Sequence, residues 1–138
     1  MLVKEIMKRD IVMIDADKSV YDAASLLREK KIGSILVVDE NDNIGLVTKR
    51  DIIGGTILAH KDPEATLVSE IMKTDIITIH PLENIQTAVQ IMEENKIKKL
   101  IVVQDKQILG IITVTDISRA TKDITKRVMD TCFNETGR

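Results

Sequence analysis

Val68-Ser-Glu-Ile-Met-Lys-Thr-Asp-Ile-Ile77 repeats Val3-Lys-Glu-Ile-Met-Lys-Arg-Asp-Ile-Val12 at an offset of 65, the difference between Met72 and Met7. The same offset, without a gap, pairs Ala23 with Ala88, Lys31-Ile32 with Lys96-Ile97 and Val37-Val38 with Val102-Val103. It goes on to pair Gly45 with Gly110, Thr48 with Thr113 and Asp51-Ile52 with Asp116-Ile117. Residues 3–52 and 68–117 share 18 identities, and most remaining pairs exchange one aliphatic side chain for another. A gapless match of that extent is a duplication, in which each half forms one supersecondary unit and hides its apolar face against the other.

Each half reads as strand, helix, strand, strand, helix. Ile11–Ile14 and Ile76–Ile79 are short β-branched runs suited to a strand. Val20, Ala23, Ala24 and Leu27 recur at helical spacing, as do Ile85, Ala88, Val89 and Met92, so each set predicts an amphipathic helix. Ser19, with Asp22 three residues on, is placed as an N-cap, and Asn84 takes the equivalent position. Ser34–Val38 and Leu100–Val103 are almost wholly apolar and predict strands buried on both faces. Asn41-Asp42-Asn43 and Asp105-Lys106-Gln107 are turn chemistry leading into the strands Ile44–Thr48 and Ile108–Thr113. Helices are expected from about Lys49 to His60 and from Val114 onward, with Asp123–Cys132 extending the second and a frayed tail over Asn134–Arg138. Pro63 marks the break in residues 61–67.

Composition narrows the function classes. Aromatic residues make up 1% of the chain, so the core must be aliphatic and no aromatic platform exists on which to stack nucleic-acid bases. The net charge is −2 and basic residues are scattered, which argues against DNA or RNA held by phosphate neutralisation. No apolar run approaches the roughly 20 residues that span a bilayer, and the charged N-terminus lacks a secretory h-region. With one cysteine, Cys132, a cytoplasmic location is expected. His60 and His80 lack Cys or His neighbours, so neither a metal nor a catalytic role is expected, and Cys132 has no nearby His to activate it. No Gly-rich phosphate loop or paired carboxylates suggest an enzyme.

The chain resembles the CBS domain family, named after cystathionine β-synthase, over roughly residues 3–120. The resemblance is carried by the openings Glu5-Ile-Met7 and Glu70-Ile-Met72 and by Lys31-Ile-Gly-Ser-Ile35 and Lys96-Ile-Lys-Lys-Leu100. It is completed by the endings Gly45-Leu-Val-Thr-Lys-Arg-Asp-Ile52 and Gly110-Ile-Ile-Thr-Val-Thr-Asp-Ile117. Leu36 and Ile101 stand where many members have proline. The resemblance implies an α+β fold: two tandem β-α-β-β-α CBS repeats packed sheet to sheet with pseudo-two-fold symmetry. The divisions expected are residues 1–60 for the first repeat, 61–67 for a linker, 68–122 for the second repeat, and 123–138 for a helical extension and tail.

Such pairs often dimerise and bind AMP, ADP, ATP or S-adenosylmethionine in two related clefts. The Asp of the terminal Thr-x-x-Asp then holds the ribose hydroxyls. Carried over, Thr48, Arg50 and Asp51 would face Asp75, Ile76, Ile77, Ile97, Lys98 and Lys99, while Thr113, Thr115 and Asp116 would face Asp10, Ile11, Val12, Ile32, Gly33 and Ser34. Thr48–Asp51 and Thr113–Asp116 also fit a plain helix capping box, which is compatible with binding because Thr can cap while Asp points into the cleft. Lys98 and Lys99 have Gly33 and Ser34 as counterparts, so the clefts are chemically unequal and a phosphorylated nucleotide is expected in the Asp51 cleft. The alternative for these lysines is a solvated strand entry. The expected function is therefore a homodimeric regulatory sensor of an adenosyl ligand, acting on an unidentified partner protein and having no catalytic activity. The alternative is a dimerisation scaffold with empty clefts.

Overall fold

The structure, a computed structural model, describes residues 1–136 of the 138-residue chain. The apolar run Ser34–Val38 forms β2, the middle strand of a three-stranded sheet ordered β1-β2-β3. Its neighbours are β1 (Met13–Asp15), which is parallel, and β3 (Ile44–Thr48), which is antiparallel. In the second half β5 (Lys99–Gln104) lies between parallel β4 (Thr78–Ile79) and antiparallel β6 (Gln107–Thr113). Central position explains the apolar character, since Ile35, Leu36, Val37, Leu100, Ile101 and Val102 are all at or near zero exposure.

The first strands are shorter than the β-branched runs suggest. Pairing starts where a partner is available: Leu36 N–H donates to Val12 O and Ile101 N–H donates to Ile77 O. The helices at Val20–Lys30 (α2) and Ile85–Asn95 (α5) begin at Ser19 and Asn84, whose side chains accept from Asp22 N–H and Gln86 N–H at 3.1 and 2.9 Å. Both helices stop at a left-handed lysine, Lys31 or Lys96. A single helix was expected over Lys49–His60. Instead α3 (Lys49–Ile52) passes into a π-helical turn at Ile53–Ile57. There the buried Thr56 hydroxyl donates to Ile52 O at 2.6 Å, and Gly54-Gly55 weakens the ordinary α ladder. The last helix, α6 (Val114–Thr136), runs unbroken through the expected extension and most of the expected tail; Gly137 and Arg138 lie outside the described residues.

Two short helices were not foreseen, α1 (Val3–Ile6) and α4 (Val68–Ile71), one at the opening of each repeat. They decide how the chain divides into compact units. One unit is Ile11–Ile76, and the other joins Met1–Asp10 to the chain from Ile77 onward. The openings are therefore exchanged between the repeats. Val3 and Met7 enter the core of Ile79, Ala88, Met92, Leu100, Val102 and Ile112, while Val68 enters the core of Ile14, Ala23, Leu27, Ile35, Val37 and Val47. Matching backbone bonds hold each opening: Val3 N–H to Glu83 O and Ile85 N–H to Met1 O in one unit, Val68 N–H to Lys18 O and Val20 N–H to Thr66 O in the other. Both cores are aliphatic, and Tyr21 is exposed.

The end of each opening lies against the last strand of its unit at glycine. A methyl group at Gly45 would lie 2.5 Å from Met72 Sδ, and one at Gly110 would collide with the Lys8 carbonyl oxygen. Methionine can swing aside whereas a backbone carbonyl cannot, so Gly110→Ala should destabilise the protein more than Gly45→Ala. A loss of about 1–3 kcal/mol is expected for the former by urea denaturation.

Between β2 and β3, Asp39 organises the turn. Its carboxylate accepts from the Asn43 side-chain amide at 3.0 Å and from the N–H groups of Asn43 and Asn41 at 2.9 and 2.8 Å. Led by the Asn43 side-chain bond, these interactions hold the carboxyl below its ordinary value of 3.8. A depressed carboxyl contributes stability above the ordinary carboxylate range and loses it as pH falls through the folded value. A carboxyl-detected NMR titration should accordingly place the Asp39 midpoint below that of an exposed aspartate, and Asn43→Ala should move it upward.

Candidate functional site

The two Thr-x-x-Asp segments form corners where a last strand turns into a helix. At the first, the Thr48 N–H and hydroxyl both donate to Asp51 Oδ2, at 2.9 and 3.0 Å, and Asp51 N–H donates back to Thr48 Oγ1 at 3.2 Å. At the second, the Thr113 N–H and hydroxyl donate to Asp116 Oδ2 at 3.0 and 2.9 Å, and Asp116 N–H returns to Thr113 Oγ1 at 3.1 Å. The capping box is therefore present in both repeats, and it uses one carboxylate oxygen.

The other oxygen faces a lysine. Lys73 Nζ lies 3.6 Å from Asp51 Oδ1, and Lys8 Nζ lies 3.7 Å from Asp116 Oδ1. The carboxylates are largely buried, at 10% and 4% exposure, while both lysines are 58% exposed. A carboxylate removed from water needs such compensation. Lys8 and Lys73 stand at the same place in the two repeats, yet sequence reasoning passed over them. The available signal was their identity at the offset of 65, within the Glu-Ile-Met-Lys shared by both openings.

The remaining expected residues divide between the units. Thr48, Arg50, Asp51, Asp75 and Ile76 share one unit, whereas Ile77, Ile97, Lys98 and Lys99 belong to the other. Likewise Thr113, Thr115, Asp116 and Asp10 share a unit, whereas Ile11, Val12, Ile32, Gly33 and Ser34 do not belong to it. Within its own unit Ser34 pairs with Thr48 across the sheet, and Lys99 pairs with Thr113. Ile32 and Ile97 are partly buried against the core of their units, and the Lys98 carbonyl accepts from Val114 N–H at 3.0 Å at the start of α6. Arg50, Thr115, Asp10, Asp75, Gly33 and Lys98 are exposed. Among the described residues no group of His, Cys, Asp and Glu could hold a metal ion, and no helix is long and apolar enough to cross a membrane.

The chain and its fold have counterparts among known proteins. The chain is 31% identical to protein MK0525 of Methanopyrus kandleri over 83% of its own length and 60% of that protein's. It is 35% identical to protein MJ0450 of Methanocaldococcus jannaschii, over 86% of its length and 65% of the relative's. It thus spans less than two thirds of either relative. Its fold matches the crystal structure of the CBS domain pair of protein MJ0100 in complex with 5′-methylthioadenosine and S-adenosyl-L-methionine, with a TM-score of 0.76 and 29% identity. That match covers 89% of this chain and 97% of the other. The CBS domain profile matches residues 3–55 and again residues 68–123. With both repeats matched and two α+β units each built on a three-stranded sheet, this chain belongs to the CBS domain family, a family of generally regulatory modules.

Proposed function

We propose that this protein is a regulatory sensor that binds an adenine nucleotide or a related adenosyl compound and passes its occupancy to a partner protein. The observation that carries the reading is the division of labour on each aspartate. Oδ2 of Asp51 and Asp116 is used for capping, and Oδ1 is left to a long contact with one half-exposed lysine. A carboxylate oxygen so placed can accept from a ribose hydroxyl without unravelling the helix start. The ligands of the MJ0100 pair, both adenosyl compounds, support that class. In this reading Asp75, Ile76, Ile77, Ile97, Lys98 and Lys99 complete the site of Thr48, Arg50 and Asp51. Asp10, Ile11, Val12, Ile32, Gly33 and Ser34 complete that of Thr113, Thr115 and Asp116. Lys98 and Lys99 favour a phosphorylated ligand at the Asp51 site. Dimerisation in the cytoplasm belongs to the same proposal, and the exposed apolar side chains Ile57 and Leu58 support a homodimer.

Calorimetric titration with AMP, ADP, ATP, S-adenosylmethionine and 5′-methylthioadenosine tests the proposal, with Asp51→Asn and Asp116→Asn as controls. Asparagine keeps one accepting oxygen for the cap but places an amide N–H where Oδ1 stood. Each variant should therefore lose binding at its own corner while its stability changes by less than about 1 kcal/mol. Lys98→Glu with Lys99→Glu should weaken a phosphorylated ligand at the Asp51 site only. Failure of all five compounds to bind would leave a scaffold, and light scattering would then show whether Ile57→Glu with Leu58→Glu separates a dimer into monomers.

A further inference from the structure

We infer that Lys8 and Lys73 decide which ligand charge the two aspartates accept, an inference that rests on the adenosyl reading above. The position of each lysine is built, not incidental. Lys73 exchanges two backbone bonds with Leu46, both 2.9 Å, and Lys8 exchanges two with Ile111, at 2.9 and 3.0 Å. Leu46 and Ile111 each lie two residues before the threonine of a corner, so the backbone anchor sets the lysine beside the carboxylate. The glycine before each anchor, Gly45 or Gly110, permits that approach.

Stability gives only part of the reason for the arrangement: the cation compensates a largely buried carboxylate, but a half-exposed lysine does so weakly. Ligand electrostatics gives a better one. A largely buried carboxylate that binds ribose also repels the phosphates attached to that ribose. A lysine 3.6–3.7 Å away cancels that charge. More than half of each lysine side chain stays open to solvent, and the ammonium has three donors, so it can turn from the carboxylate to a phosphate oxygen when the ligand enters. With lysine present the corner accepts an anionic phosphate ester. Without it, the same corner favours a neutral thioether nucleoside or a cationic sulfonium.

The test compares the wild-type protein with Lys8→Met/Lys73→Met by calorimetry against AMP, ATP, 5′-methylthioadenosine and S-adenosylmethionine. Methionine retains an unbranched apolar stem. AMP and ATP should bind about tenfold more weakly to the variant, the usual scale for losing a charge-assisted bond. 5′-Methylthioadenosine should bind within about twofold of wild type, S-adenosylmethionine equally or more tightly, and Lys8→Arg/Lys73→Arg should restore the phosphate esters. Equal loss for all four compounds, or no loss for any, overturns the inference while leaving the adenosyl reading intact. A wild-type protein that takes 5′-methylthioadenosine but neither phosphate ester also overturns it alone, and one that binds none of the four overturns both.

Discussion

The fold rests on a contact of four backbone hydrogen bonds, two at Lys73–Leu46 and two at Lys8–Ile111. Each pair fastens an opening segment to the edge of a last strand. Glycine precedes each anchor, and at Gly110 it leaves room for the Lys8 carbonyl, at Gly45 for the Met72 side chain, to lie against the strand. With the opening held there, Val3 or Val68 lies in the aliphatic core of the unit. Packing and site geometry thus have one origin. The residue that anchors the backbone also delivers its ammonium to the aspartate.

That aspartate serves two purposes with two oxygens. Helix starts leave N–H groups and strand ends leave threonine hydroxyls, and Oδ2 satisfies them. Oδ1 takes no part in that bonding and faces a cation that solvent reaches. Structural and binding duties usually compete for a polar group; in the proposed reading they fall on different oxygens of one carboxylate. Removing the side chain altogether would confuse the two, whereas asparagine distinguishes them.

Much of this was legible in the order of residues. Ser19, Asn84, Thr48 and Thr113 announced their caps because a short oxygen-bearing side chain just before a helical pattern has few other uses. Ser34–Val38 and Leu100–Val103 announced central strands because a run without polar alternation must be covered on both faces. The exchange of the openings was not legible. A duplicated sequence offers each opening two nearly identical docking surfaces, and no local pattern distinguishes its own from its neighbour's. Lys8 and Lys73 escaped notice for a related reason: a lysine flanked by charge reads as solvated until the strand beneath it is known. The π-helical turn at Ile53–Ile57 depends on the Thr56 hydroxyl reaching back to Ile52, which a helical periodicity does not report.

The exchange of openings also bears on how such a chain can be divided. Residues 3–55 carry Asp51 but not Lys73, and residues 68–123 carry Asp116 but not Lys8. Neither repeat carries both members of the ion pair at its own corner. The continuous stretch that keeps an aspartate with the lysine facing it is accordingly not the repeat seen in the sequence but residues 11–76, which carry Asp51 and Lys73, whereas Asp116 and Lys8 come from opposite ends of the chain.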